Sequence, residues 1–123
     1  MIRGIVNARL EAVVSLRLRG PQSLETTLEA IVDSGFTASL TLPADVVSAL
    51  GLVRQASSRA ILADGSACPF DLFAAEVEWE GAWRPILVST VGNEALIGMG
   101  LLADHQICIE VRPGGGVEIA RLS

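Results

Sequence analysis

Hydrophobic and polar residues alternate along most of this chain with the two-residue period of β-strands rather than the 3.6-residue period of helices. From Ala12 to Arg19, residues Val14, Leu16 and Leu18 fall on one face and Ser15, Arg17 and Arg19 on the other, which predicts a half-buried strand. Gly20-Pro21-Gln22-Ser23 is a turn, and Thr26 to Val32 is a second strand rich in β-branched residues. One segment carries clear helix signals. Pro43 suits a first helical turn, Asp45 favours its positive end, Val46, Val47 and Leu50 share a helical face, and Gly51 ends it.

Two further strands, Arg54 to Leu62 and Cys68 to Glu80, are predicted around the tight turn Ala63-Asp64-Gly65-Ser66. In the second of these, Ala75, Val77 and Trp79 occupy one face and Glu76, Glu78 and Glu80 the other, a solvated acidic face. Glu80-Gly81 turns the chain into a strand from Trp83 to Thr90, so Trp79 and Trp83 are expected to form a cross-strand aromatic pair. Ala95 to Asp104 is expected to hold a short strand, a Gly98-Met99-Gly100 break and a brief second helix, with His105 at its end as a cap or surface residue. Gln106 to Val111 and Val117 to Leu122 form a hairpin around Pro113-Gly114-Gly115-Gly116. Cys68 and Cys108 both lie in apolar strand patterns and are expected in the core. Many short strands with regularly spaced turns and one or two short helices predict an all-β domain, a sandwich or a closed barrel.

Composition narrows the class. A chain of 123 residues fits one domain, spanning residues 1–123, that buries roughly two-thirds of its unfolded surface. A hydrophobic fraction of 50% excludes a disordered chain, and two cysteines exclude a disulfide scaffold. The longest apolar run, Ala95 to Ala103, has nine residues including two glycines, well short of the roughly 20 that a membrane helix needs. Arg3, Arg9 and Glu11 interrupt any apolar signal segment, and with no targeting feature a cytoplasmic location is expected. A net charge of −5 with scattered arginines disfavours nucleic acid as a partner. Every basic residue is an arginine, so lysine-based covalent chemistry is excluded.

The candidate chemistry centres on Ala30-Ile31-Val32-Asp33-Ser34-Gly35-Phe36-Thr37-Ala38. An aspartate closing an apolar strand loses hydration, which costs free energy unless donors or charges compensate. Gly35 lets the backbone turn tightly and bring its N–H groups towards that carboxylate, and Ser34 offers a hydroxyl that can brace the loop. Alone, Asp-Ser-Gly is a common β-turn. Three further features follow it in a fixed order, however. They are Leu40-Thr41-Leu42-Pro43 leading into a helix that ends Leu50-Gly51-Leu52, the hairpin tip Ala63-Asp64-Gly65-Ser66, and Ala95-Leu96-Ile97-Gly98 before a closing strand.

This series resembles the single-domain, retropepsin-like aspartic proteases, especially the small prokaryotic group with Phe after the Asp-Thr/Ser-Gly triplet. The resemblance runs from about Gly4 to Ile119 and implies a small closed β-barrel that works as a dimer. It implies that Asp33 is the catalytic aspartate, that the Ser34 hydroxyl braces two active-site loops against each other, and that the Gly35 N–H helps hold the carboxylate. Phe36 would lie beside the substrate, and Ala63, Asp64, Gly65 and Ser66 would form the tip of a flap over it. Leu96, Ile97 and Gly98 would support the active-site loop from beneath. Phe36 stands where the best-studied members have a small residue, which implies a bulkier floor beside Asp33, and the flap has no aromatic residue.

Aspartic protease chemistry needs two carboxylates about 3 Å apart that share one proton. This chain has one Asp-Ser/Thr-Gly triplet: Asp45, Asp71 and Asp104 lack the following Ser/Thr-Gly, and Asp64 is followed directly by Gly65. The resemblance therefore implies a two-fold homodimer with one Asp33 from each chain, acting on a peptide or protein substrate without cofactor or metal. The main rival is a catalytically silent dimer that binds a peptide or protein partner in the same groove.

Other constellations are weaker. A zinc site would need His105 with Cys68, Cys108 or carboxylates, and neither cysteine has Cys-x-x-Cys spacing. A Cys/His hydrolase would have to draw on the same three residues. No Gly-x-Ser-x-Gly elbow surrounds Ser34, and Gly114-Gly115-Gly116 lacks the strand-before, helix-after context of a phosphate loop.

Overall fold

The computed structural model describes residues 1–123 and contains ten strands and one short helix. In chain order these are β1 (Ile2–Val6), β2 (Ala12–Arg19), β3 (Glu25–Val32), β4 (Leu40–Thr41), α1 (Ala44–Ala49), β5 (Val53–Ile61), β6 (Ala67–Trp79), β7 (Ala82–Ser89), β8 (Leu96–Ile97), β9 (His105–Ile109) and β10 (Gly116–Arg121). Hydrogen bonds join them in the order β5-β6-β7-β4-β8-β3-β2-β1-β10-β9, and β6 returns to pair with β2. That return closes β2, β3, β8, β4, β7 and β6 into a six-stranded barrel. Between sandwich and barrel, the pattern of short alternating strands resolves to the barrel. No helix is long and apolar enough to cross a membrane.

The alternation read from the sequence is what fills the barrel. Leu16 and Leu18 from β2, Val77 and Trp79 from β6 and Val88 from β7 are buried together with Ile97 from β8. The ring closes through only two residue pairs, Leu18 with Val77 and Arg19 with Glu76. Leu18 and Val77 are each 0% exposed, so the inner pair is sealed by apolar contact. On the outside, the Arg19 Nε donates to Glu76 Oε1 at 2.9 Å, and its guanidinium lies 4.2 Å from the centre of the Trp83 ring. Arg17 stacks over the same ring and bonds Glu25 and Glu78, so the predicted acidic face is a laced network of ion pairs.

Residues 67–74 of β6 pair with β5 alone over much of their length, and this hairpin projects from the barrel beyond a bulge at Gln55. Pro69 sits in that projecting part, where β6 has no second neighbour to receive an N–H. At the other end, Glu80 and Gly81 both take positive φ, 53° and 85°, giving the two-residue turn that fits strand twist.

Four expectations are corrected. The segment after Gly98 forms turns rather than a second helix, because the N–H groups of Gly98, Met99 and Gly100 bond sideways to the carbonyls of Ser39, Phe36 and Ala38. Trp79 and Trp83 do not pair. The tight turn sets Trp79 opposite Ala82 and Trp83 opposite Glu78, which sends the two rings to opposite faces. Cys68 and Cys108 are exposed, one on the projecting hairpin and one on the sheet-edge strand β9, where no second layer covers an apolar pattern. The His105 side chain is buried and hydrogen-bonded rather than a surface cap.

The pair that closes the ring predicts a pH dependence. The hydrogen bond from Arg19, foremost among the causes, holds the Glu76 carboxyl below its ordinary value of 4.5. A depressed folded-state value contributes stability above the ordinary one and loses it as pH falls through the depressed one. Glu76→Gln should therefore lower the urea midpoint at neutral pH, and the gap from wild type should shrink steadily as pH drops below 4.5. A gap independent of pH would contradict this role for the ion pair.

Candidate active site

Asp33 follows the last residue of β3, and its position is set by a strand pairing across the barrel wall. β3 and β8 run parallel, with Ile31 beside Leu96 and Val32 beside Ile97. The Ile31 N–H donates to the Ala95 carbonyl, and the Asp33 N–H donates to the Ile97 carbonyl, both at 2.9 Å. The main chain is thus held up to the aspartate and then released into a turn, where the Phe36 N–H donates to the Asp33 carbonyl.

The carboxylate is anchored inside that turn. Asp33 Oδ1 accepts the Gly35 N–H at 2.9 Å. A Cβ on residue 35 would lie 3.3 Å from the same oxygen, so the missing side chain is what allows the close approach. Asp33 is half-buried, while Ser34 and Gly35 are exposed, leaving the Ser34 hydroxyl at the surface. One backbone donor and partial exposure together offset the desolvation expected at the end of an apolar strand.

Beneath the turn lies the segment Leu96-Ile97-Gly98. β8 is inserted between β3 and β4, pairing antiparallel with β4. Gly98 then crosses directly under the turn, and a Cβ there would overlap the Ala38 carbonyl oxygen and crowd the Phe36 ring. The Gly98 N–H donates to the Ser39 carbonyl, and the Met99 N–H donates to the Phe36 carbonyl at 2.7 Å. The structure therefore brings Asp33, Ser34, Gly35 and Phe36 together with Leu96, Ile97 and Gly98. Phe36 packs back onto Gly98 and contributes no wall to the hollow beside Asp33.

That hollow has a volume of about 400 Å³; hydrophobic residues predominate in its lining, but its walls are about as polar as they are apolar. Besides Ile31, Val32 and Leu96, it is lined by residues that the sequence pattern did not single out: Leu10, Glu11, Ala12, Glu94, Ile109 and Val111. Glu11 and Leu10 come from the β1–β2 loop, folded by Asn7, whose Oδ1 accepts the N–H groups of Arg9 and Glu11. An Asn two and four residues ahead of those donors was the local signal available. Ile109 and Val111 arrive only through the β10–β9 extension of the sheet, which no local pattern announces.

Residues 63–66 stand apart from this hollow, at the tip of the projecting β5–β6 hairpin. Asp64 Oδ1 accepts both the Ser66 N–H at 2.9 Å and the Ser66 hydroxyl at 2.6 Å. These bonds hold the Asp64 carboxyl below its ordinary range. Gly65 supplies the positive φ, and Ile61 and Leu62 expose apolar side chains beside the tip. His105 is bonded to Trp79, Glu80 and Ala103 and so is not the partner of either exposed cysteine. Gly114 and Gly115 form the turn that leads into β10 and are tied to β1 through Val6.

The crossing under the Asp33 turn makes a direct prediction. Gly98→Ala should destabilise the protein by about 1–3 kcal/mol in chemical unfolding, because the new methyl must displace a backbone carbonyl. A change within about 0.5 kcal/mol would mean that the loop retreats freely.

Compared with known proteins, the chain matches no family model, and no curated protein is similar to it in sequence.

Proposed function

We propose that this protein is a retropepsin-like aspartic endopeptidase, acting as a homodimer that places the Asp33 carboxylates of two chains at one site. The observation that carries this reading is the anchored carboxylate: Asp33 Oδ1 is held by the Gly35 N–H beside a hollow that Asp33 helps to line, on a loop braced from below by Gly98. The carboxylate is fixed in direction yet open to water and substrate, as a general base must be.

One chain carries half of the required chemistry. Two carboxylates about 3 Å apart cannot both ionise, so the pair holds a single proton. The ionised member removes a proton from a water molecule as its oxygen bonds to the peptide carbonyl carbon. The protonated member donates to the developing oxyanion, and collapse of the tetrahedral intermediate breaks the C–N bond as the amine takes up a proton. Substrate would lie extended between the Asp33 floor and the β5–β6 hairpins, with side chains in apolar hollows. Cytoplasmic location accompanies this reading as an expectation from the lack of targeting signals in the sequence.

The test is digestion of a peptide library by wild type and by Asp33→Asn across acidic to neutral pH. Wild type should cleave, with activity per chain falling on dilution as dimers separate. Asp33→Asn should lose activity by a factor on the order of 10³ or more while keeping the wild-type unfolding midpoint. Cleavage retained by Asp33→Asn would sink the assignment. Saturable peptide binding by wild type with no turnover at any pH would instead identify a silent peptide-binding dimer.

A further inference from the structure

The chain's one histidine lies outside the hollow beside Asp33, in an arrangement that its two ring nitrogens cannot satisfy in a single protonation state. The His105 side chain is 2% exposed. Its Nδ1 lies 2.8 Å from the Ala103 carbonyl oxygen. A carbonyl only accepts, so Nδ1 carries a proton. Its Nε2 faces two claimants. The Trp79 Nε1, 3.1 Å away, can only donate, whereas the Glu80 carboxylate, with Oε1 at 2.9 Å, can only accept while it is ionised. Nε2 offers either a lone pair or a proton, never both.

The two ring states therefore select different partners. Neutral His105 accepts the indole N–H of Trp79, whose ring is buried in the barrel, and its lone pair then faces the Glu80 carboxylate unfavourably. Protonated His105 donates to Glu80 and leaves the indole N–H without its acceptor. Glu80 has room to respond, since it sits on the two-residue β6–β7 turn and its side chain is 25% exposed. The other charged groups around the ring are few. Arg121 of β10 is the cross-strand partner of His105, Asp104 precedes it, and the Met1 amino group lies 3.8 Å from Glu80 Oε2. The hydrogen bond from His105 is the first cause holding the Glu80 carboxyl below its ordinary value, with the amino group and Arg121 acting in the same direction.

We propose that His105 is a proton-operated latch between the barrel and its sheet extension: taking up one proton from solvent moves its Nε2 from Trp79 in the barrel core to Glu80 on the β6–β7 turn. Histidine is the side chain that ordinarily changes charge between pH 5 and 8, which sets the range over which the exchange is to be sought. Its mechanical consequence follows from the topology. His105 begins β9, the last strand of the sheet extension, and the latch is a side-chain bond from that strand back to β6.

Nuclear magnetic resonance reads both halves of the exchange. The His105 ring and the two indole N–H signals are followed across roughly pH 5 to 8, with Trp83, which stacks on Arg17 and Arg19 on the outer face, as the internal reference. The Trp79 indole signal should shift with the same midpoint as the His105 ring while Trp83 stays still. Glu80→Gln should lower that midpoint by about half a pH unit or more, since it removes the negative charge that favours the cation. Trp79→Phe should raise it by removing the donor to the neutral ring. A Trp79 signal that does not move through the His105 transition, a midpoint unchanged by Glu80→Gln, or a ring that does not titrate across this range would each overturn the latch. Glu80→Gln is isosteric and partly exposed, so the test does not depend on the core variant folding.

Discussion

The crossing of Gly98 beneath the Asp33 turn is the contact on which the rest of the barrel depends. β4 and β8 have two residues each, too short to be stable as strands without neighbours, yet they form the wall between β3 and β7. They are held because Gly98, Met99 and Gly100 give their N–H groups to the carbonyls of residues 36–39, stitching the end of β8 to the loop that leads into β4. A side chain at Gly98 would drive these backbones apart. The same stitching fixes the loop that carries Asp33, so barrel integrity and carboxylate placement are one constraint.

The opposite side of the ring is closed differently. Between β2 and β6 only two pairs meet, one wholly apolar and one an ion pair covered by an aromatic ring. Leu18 and Val77 supply burial that is insensitive to pH, whereas Arg19 and Glu76 supply directional bonding that is not. Beyond this seam β6 continues outward as half of the projecting hairpin, which makes the hairpin a continuation of a core strand. Its base is anchored by the core, and its tip is held only by local bonds between Asp64 and Ser66.

Around Asp33 the chain builds a surface whose parts come from distant segments. The β1–β2 loop, the ends of β3 and β8 and the end of β9 meet at one hollow, with three carboxylates, Glu11, Asp33 and Glu94, among hydrophobic side chains. The proposed peptidase chemistry would need a second such surface facing it. Leu10, Ile109 and Val111 expose apolar side chains at this hollow.

Much of this protein was legible in its sequence because the relevant physics is local. Alternation in β2 and β6 named the buried faces correctly, the signals from Pro43 to Gly51 located the helix, and Asp33-Ser34-Gly35 announced a turn whose glycine N–H meets the carboxylate. What was not legible depends on which segments lie beside one another. Trp79 and Trp83 looked like a pair until the register of a two-residue turn sent them to opposite faces. The apolar context of Cys68 and Cys108 predicted burial, but no layer packs over the hairpin or the β9 edge. The turns after Gly98 carry helix-forming residues, yet their N–H groups are taken by a neighbouring loop. His105 had no sequence partner, and only the folding of β6 against β9 brought Trp79 and Glu80 to its ring. Short-range periodicity and turn chemistry were determined by the sequence alone. Register, sheet edges and the partners of buried polar groups were decided by tertiary structure, because each depends on atoms contributed by a segment far away in the chain.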